Sequence, residues 1–273
     1  MTYRLAVIGG GNMGAALAGG LVATGWATPE DLVVVEVAAG RRGQLSDSPD
    51  LRGVAVVAAP EDIEAEGAVI AVKPQDAVAA ARAALAAGVT RLLSIAAGVP
   101  TGALEAVASP PVPVVRAMPN TAALVGAGAS AIAAGSAAGE ADLAWAEGIL
   151  RAVGTVVRTS ESALDAVTGL SGSGPAYLLL VAEALVDGGV GAGLARDVSS
   201  ALVQQLFVGC ARLMAESGES PAALRAAVTS PGGTTAAGVV ELERAAVRAA
   251  FIDAVAAATE RSRQLGASTI TST

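Results

Sequence analysis

The run Gly9-Gly10-Gly11-Asn12-Met13-Gly14 follows a short apolar stretch, Leu5 to Ile8, and opens a helix-like stretch, Asn12 to Ala23. A GxGxxG turn set between a strand and a helix constrains the fold more than any other feature of this chain. Each glycine has a mechanical task in a dinucleotide-binding βαβ unit. Gly9 permits the tight turn, Gly11 lets the backbone approach a pyrophosphate, and Gly14 lets helix and strand pack closely. The helix start, with Asn12 and Met13, then offers free N–H groups to an anion. Glu36 ends the second apolar run, Leu32 to Val35, twenty-two residues past Gly14, where a carboxylate can hold a ribose 2′-hydroxyl. The competing reading is an incidental turn, since the chain has 33 glycines. The order strand, glycine turn, helix, strand, acid favours the cofactor site.

The same alternation continues. Val54 to Val57, Ala68 to Val72, Arg91 to Ile95 and Val112 to Arg116 read as strands, with Ala-rich helical segments such as Asp76 to Ala87 between most of them. Short β-rich runs alternating with helices predict parallel strands and crossover helices. After a last strand, Thr155 to Arg158, the stretches Pro175 to Val186, Asp197 to Ala215, Pro221 to Val228 and Ala245 to Leu265 are helical in character. The expected fold class is therefore an α/β N-terminal Rossmann domain with a predominantly parallel sheet, residues 1–159, followed by an all-α C-terminal domain, residues 160–273. The Ser/Thr-rich end, Ala267 to Thr273, is expected to fray.

Composition excludes several functions. The chain is 53% hydrophobic but only 2% aromatic, so its core is expected to be small aliphatics in close packing. A net charge of −8 without a basic cluster argues against a nucleic-acid partner. The chain has no histidine, which rules out Ser-His triads, His-ligated metals and histidine-dependent hydroxyacid dehydrogenases; no metal site is expected. The single cysteine, Cys210, cannot form an intrachain disulfide and reads as a small buried hydrophobe beside Leu206 and Leu213. The N-terminus lacks the basic start and long apolar run of a signal peptide. The uncharged run from Arg116 to Glu140 is broken by Pro119, Asn120 and glycines, so no membrane span is expected there and the location is expected to be cytoplasmic.

Lys73 is the only lysine, in Ala71-Val72-Lys73-Pro74-Gln75 at the C-terminal end of the fourth apolar run. Ligands of open α/β sheets bind at that edge. Either Lys73 serves the cofactor side or it is a surface lysine at a strand end. Arg41 and Arg42 likewise have two readings, a pair for a 2′-phosphate or a solvated helix face, whereas Glu36 argues for NADH. NADH and NADPH both stay open.

Four further segments complete the pattern: Ser94-Ile95-Ala96-Ala97-Gly98, Arg116-Ala117-Met118-Pro119-Asn120-Thr121, Leu170-Ser171-Gly172-Ser173-Gly174-Pro175-Ala176-Tyr177, and Val228-Thr229-Ser230-Pro231-Gly232-Gly233-Thr234-Thr235. With the glycine turn and the Val-Lys-Pro turn, their order and spacing resemble pyrroline-5-carboxylate reductases over roughly residues 4 to 266. The resemblance implies a Rossmann domain, a helical domain that interlocks in a homodimer, and rings of such dimers. It implies hydride transfer from NADPH or NADH to the imine carbon of pyrroline-5-carboxylate, giving L-proline. On the matching positions, Ser230, Gly232, Gly233 and Thr234 bind the substrate carboxylate and Thr235 bonds the ring nitrogen. Val72, Lys73, Pro74, Ala97, Gly98 and Asn120 then line the nicotinamide end, with Thr235 and Lys73 as the catalytic candidates. The residues themselves agree: a Pro-Gly-Gly turn before a helical stretch, Ala236 to Glu243, can aim several N–H groups at one anion. An ordinary start with threonine as its cap is the plain alternative. Gly172-Ser173-Gly174-Pro175 is either part of the pocket or a break between two helices.

Reducing an imine that arrives protonated needs little acid–base machinery, so a histidine-free chain suits it. Two departures stand out. Ala122 replaces a frequent proline, and Glu36, Val37 and Ala38 stand where the family often has short hydroxyl or amide side chains, which puts its usual NADP preference in question. A hydroxyacid dehydrogenase needs a lysine in its second half, and none follows Lys73. A reductase of the six-membered cyclic imine and a non-catalytic dinucleotide sensor remain as alternatives.

Overall fold

The computed structural model describes residues Thr2–Ile270. It divides into two compact units, one running to Ser173 and resuming at Val255, the other Gly174–Ala254.

The first unit is built on an eight-stranded sheet: β1 Tyr3–Ile8, β2 Leu32–Val35, β3 Ala55–Val57, β4 Ala65–Ile70, β5 Leu92–Ser94, β6 Val114–Met118, β7 Gly128–Ala134 and β8 Gly154–Arg158. Their order is β3-β2-β1-β4-β5-β6-β7-β8. Every neighbouring pair is parallel except β6 and β7. The chain leaves β1 toward β2 and β3, then crosses back to lay β4 on the other side of β1. The C-terminal ends of β1 and β4 therefore flank the point where strand order reverses, and open sheets bind ligands in that crevice.

The inner strands are nearly continuous apolar runs because both faces of the sheet are covered. Leu5, Val7, Leu32 and Val34 share one core with Leu17 and Leu21 of α1 (Asn12–Ala23). Ala146, Ile149 and Leu150 of α5 (Glu140–Arg151) join the same core. Ala6, Ile8, Val33 and Val35 face the other way and meet Ala77, Ala81 and Ala84 of α3 (Ala77–Ala86). Those three alanines recur at helical spacing, so a methyl-lined stripe lets the helix lie close on the sheet. Two short helices complete the unit's periphery, α2 (Ala39–Ser46) after β2 and α4 (Thr101–Glu105) after β5.

After β8 the chain forms α6 (Leu164–Val167) and a π-helical stretch, Thr168–Gly172. Leu164 is buried against Ala131 and Ala133 of β7. The sequence suggested a domain change at Thr159-Ser160. The compact division falls later, after Ser173, because this segment covers β7 and because the end of the last helix returns to pack on it. Ser262 Oγ donates to Asp165 Oδ1 at 2.7 Å. A Cβ on Gly169 would lie 2.4 Å from Thr259 Oγ1, so only glycine admits that approach.

The second unit contains α7 (Gly174–Gly191), α8 (Arg196–Ser217), α9 (Pro221–Ala227), α10 (Thr234–Arg244) and the start of α11 (Val247–Ile270). Helices α7 and α8 form a hairpin, tied by Ser199 Oγ donating to Val186 O at 2.9 Å, with Gly189 leaving room for that hydroxyl. Few side chains of this unit are buried within the chain. Leu178, Leu179, Leu180, Leu202, Leu206 and Leu213 are all exposed. Cys210, expected inside an apolar face, is exposed as well, because α8 turns that face outward in the single chain. By length and composition alone Glu161–Gly191 and Arg196–Ser217 are apolar enough to cross a membrane. Helix α11 continues to Ile270, where the sequence suggested fraying from Ala267; Thr271–Thr273 lie outside the described residues.

One partly buried polar contact joins three elements of the first unit. Glu161 Oε1 accepts from Thr101 N at 2.7 Å and lies 3.3 Å from Arg116 Nη1, while Oε2 accepts from Thr101 Oγ1 at 2.7 Å. Arg116 sits on a central strand with its side chain 9% exposed, so losing its counter-charge leaves a desolvated cation. Glu161→Ala is expected to lower stability by about 2 kcal/mol, read as a drop in the urea midpoint. An unchanged midpoint would mean that Arg116 does not depend on this carboxylate.

Candidate functional site

The turn at the end of β1 is fixed by close approaches that only glycine allows. Gly9 adopts φ +110°, its N–H bonds Val35 O at 2.8 Å, and a Cβ there would meet Ala71 O at 2.6 Å. A Cβ on Gly14 would lie 2.0 Å from Gly9 O, so α1 docks directly on the turn that precedes it. Gly11, the residue before the helix, has no atom within 4 Å of its Cβ position and faces open space. Helix α1 has no side-chain cap and no acidic residue in its first turn. Its leading amides, those of Asn12, Met13 and Gly14, thus lack the side-chain partner that usually satisfies a helix start. These features fit a pyrophosphate: an open approach, unshared donors and the positive end of a helix.

Glu36 stands beside this turn at the end of β2. Its Oε2 accepts from Gly10 N at 3.1 Å and its Oε1 from Ala38 N at 2.8 Å. Across the switch point, β4 ends at Ile70 and the chain turns through Val72, Lys73 and Pro74. Ala71 N bonds Ile8 O at 2.8 Å, and Val72 Cγ1 lies 3.0 Å from the Cβ position of Gly9, so this turn abuts the glycine turn. The Lys73 side chain is exposed. Pro74, Ala97, Gly98, Ser173, Arg261 and Ser262 border a cavity of about 420 Å³ in the same unit. A larger hollow, about 670 Å³, runs along α1 past Gly19 and Val153. Of the residues considered for the cofactor it touches Asn12 and Arg41 but none of those expected at the nicotinamide end, so the smaller cavity is the better candidate for a reacting ring.

Asn120 holds two backbone segments together. Its Oδ1 accepts from Ala129 N at 3.1 Å and its Nδ2 donates to Ser171 O at 3.2 Å. The amide thereby fixes the start of β7 and the π-helical turn against the end of β6. That turn was missed in sequence: Ser173 N reaches Thr168 O at 2.8 Å, and both Thr168 and Ser173 face the smaller cavity. Ser173 is the single residue between the π-helical stretch and α7; it keeps helical angles, φ −87° and ψ −20°, so one helix passes into the next with Pro175 in the first turn of the second. Arg261 and Ser262, also at the cavity, were missed too. Only the paired glycines of Thr-Gly-Leu-Ser-Gly hinted at an unusual helix, and nothing in sequence marks a π turn.

The other expected residues belong to the second unit. Gly233 N bonds Ser230 O at 3.1 Å around Pro231 and Gly232, whose φ of +71° gives a type II turn, with proline and glycine at their favoured places. Gly233 is the N-cap of α10, which has neither a side-chain cap nor an acidic residue in its first turn. Neither threonine caps the helix, so the plain alternative raised by the sequence is not what forms. Thr234, Thr235 and Ala236 supply the open leading amides, with Thr234 and Thr235 exposed. Ion pairs tie α9 and α11 to the far end of this helix: Arg225 of α9 lies 3.6 Å from Glu243 of α10, and Arg248 pairs with the same carboxylate. The hydrogen bond from Arg248, with smaller contributions from the charges of Arg248 and Arg225, holds the Glu243 carboxyl below its ordinary pKa.

A family model described as pyrroline-5-carboxylate reductase dimerisation matches residues 161–265, and one described as NADP oxidoreductase, coenzyme F420-dependent, matches residues 4–98. The pyrroline-5-carboxylate reductase of Synechocystis is 44% identical over 97% of this chain and 99% of its own length. That of Mycobacterium tuberculosis is 42% identical over 96% of each. Among solved structures, the Coxiella burnetii enzyme of that name superposes with a TM-score of 0.89 at 33% identity, covering 97% of this chain and 99% of the other. The Plasmodium falciparum pyrroline carboxylate reductase, solved with NADP bound, gives 0.82 at 30% identity over 97% and 98%.

The open space at Gly11 yields a separable test. Gly11→Ala adds a methyl group that meets nothing, at φ −63°, so the melting temperature is expected to stay within a degree or two of wild type. Affinity for a reduced nicotinamide dinucleotide, read by its fluorescence, is expected to fall by about tenfold or more, ~1.4 kcal/mol, because the methyl group blocks the backbone approach. Unchanged affinity would remove the turn from the cofactor site.

Proposed function

The chain belongs to the pyrroline-5-carboxylate reductase family, and we propose how its own residues divide that reaction among them. The reaction is the reduction of 1-pyrroline-5-carboxylate to L-proline, the last step of proline biosynthesis. When bound, a nicotinamide dinucleotide would supply the hydride for the imine carbon. The observation that carries the assignment of roles is a pair of uncapped helix starts, α1 after a glycine turn and α10 after a Pro-Gly-Gly turn, each fit for an anion.

In this reading the open approach at Gly9 and Gly11 and the leading amides of Asn12, Met13 and Gly14 hold the cofactor's pyrophosphate, and Glu36 accepts from its ribose. Val72, Lys73, Pro74, Ala97, Gly98 and Asn120 line the nicotinamide end. Asn120 also positions the π-helical turn through its bond to Ser171. Ser230, Gly232, Gly233 and Thr234 bind the substrate carboxylate, chiefly through main-chain N–H groups, so no cation is needed there. Thr235 Oγ1 hydrogen-bonds the ring nitrogen and fixes which carbon is presented. Lys73 lends its ammonium to the reacting edge.

An imine that arrives protonated would bring its own proton, so no residue would need to supply one at the nitrogen. The residues need only bind, orient and exclude water, which a chain without histidine can do. The exposed leucines of α7 and α8 support burial against a second copy in an interlocked homodimer, with rings of dimers as the larger assembly. The working location is the cytoplasm.

Adding pyrroline-5-carboxylate to the protein with a reduced nicotinamide cofactor is expected to bleach the nicotinamide absorbance and to form proline. No bleaching with either cofactor would refute the reading. Thr235→Ala is expected to lower kcat/KM for the imine by about ten- to a hundredfold, the range for a hydrogen bond to a charged group, with cofactor affinity unchanged. Wild-type kinetics would take Thr235 out of the site.

A further inference from the structure

Glu36 and the two arginines that follow it bear on which nicotinamide dinucleotide this chain prefers, and we infer that it is built for NADH. The inference rests on the glycine turn being the cofactor site, and goes beyond it by naming the group that discriminates at the ribose.

NADH and NADPH differ by a 2′-phosphate on the adenosine ribose. The end of β2 is where a carboxylate meets the ribose hydroxyls in such folds, and where a phosphate must be neutralised if it is to be accepted. Here the Glu36 carboxylate is held at both oxygens by main-chain donors, Gly10 N at 3.1 Å and Ala38 N at 2.8 Å. Ala38 is the N-cap of α2, a helix of eight residues with no side-chain cap and no acid in its first turn. Glu36 therefore already supplies an anion to the positive end of α2, and the Ala38 amide is not free for a phosphate.

The sequence left Arg41 and Arg42 as rivals to this charge. In the structure both donate to neutral oxygens of α2 and of the turns beside Glu36. Arg41 Nε donates to Gly10 O at 2.8 Å and its Nη1 to Gln44 Oε1 at 3.1 Å. Arg42 Nη1 donates to Glu36 O at 2.9 Å and to Val37 O at 2.8 Å. Neither forms an ion pair with the Glu36 carboxylate among the described residues. Their guanidinium groups staple the β2–α2 turn and the glycine turn through neutral oxygens, which fixes the carboxylate in place; both keep their positive charge, but these bonds hold their planes against the turn rather than toward a ribose phosphate. A ribose 2′-hydroxyl gains an acceptor there. A 2′-phosphate meets a fixed like charge.

The test uses fragments that lack the reacting ring, so it reads affinity and not turnover. Calorimetric titration of the full chain with ADP-ribose and with 2′-phospho-ADP-ribose is expected to show at least about tenfold tighter binding of the unphosphorylated fragment. Glu36→Gln is expected to shrink that ratio, mainly by tightening the phosphorylated fragment. Arg42→Ala is expected to weaken both fragments by the same factor, since its bonds hold the turn. Equal or tighter binding of 2′-phospho-ADP-ribose by the wild type would overturn the inference alone and leave the cofactor site standing. So would an Arg42→Ala variant that loses only the phosphorylated fragment. Failure of both fragments to bind would overturn the cofactor site and this inference with it.

Discussion

Gly14 rests on the carbonyl of Gly9, and the first unit is organised around that contact. It brings the start of α1 directly onto the end of β1, at the place where strand order reverses between β2 and β4. A methyl group at either position would collide with backbone that has nowhere to go, Gly9 O on one side and Ala71 O on the other. Because the contact is backbone on backbone, the amides at the head of α1 are left without side-chain partners and the space before them stays open. The sheet behind supplies rigidity: strands buried on both faces, with alanine stripes that let helices lie close.

The same device recurs at α10. A proline-glycine turn delivers a helix start with no cap. In the proposed reading, anion recognition in this chain is main-chain work, which would let a protein with one lysine and no histidine hold a dinucleotide pyrophosphate and a substrate carboxylate. Helix dipoles and oriented amides need no proton equilibrium, so such sites are insensitive to side-chain titration near neutral pH. The cost falls on the helical unit, whose long apolar helices bury little within one chain. A family model for dimerisation spans them, which accounts for their exposed leucines better than a bilayer does.

The Rossmann half was largely legible in the sequence because its signals are local. Short aliphatic runs, one ending at the glycine turn and one at Glu36, mark β1 and β2, and the bounds of α1 and β2 follow from the turn and from Glu36. Strand β7 was not legible: Gly-Ala-Ser-Ala-Ile-Ala-Ala has one β-branched residue, and pairing with β6 and β8 on its two sides makes it a strand. The boundary near Ser160 rested on a change of composition, whereas compactness depends on a return: Ser262 on Asp165 and Thr259 on Gly169 draw the end of α11 back to the first unit. No local rule announces a contact spanning ninety-seven residues. Within the candidate site, glycine and proline turns were readable because they have strict backbone requirements. Arg261, Ser262 and the π-helical Thr168–Gly172 were not, because they matter only through what packs beside them. The roles of Arg41 and Arg42 were undecidable in sequence for the same reason, since their partners are carbonyl oxygens that every residue has.

The central claim is a direct hydride transfer to the imine carbon, oriented by residues that bind and need not titrate. Turnover of pyrroline-5-carboxylate with cofactor dideuterated at nicotinamide C4, followed by NMR of the proline formed, reads that step directly. The account predicts deuterium at the former imine carbon, in one stereochemical position and in amounts matching the cofactor consumed. Proline formed without deuterium at that carbon, or with label scrambled between its two positions, would contradict it.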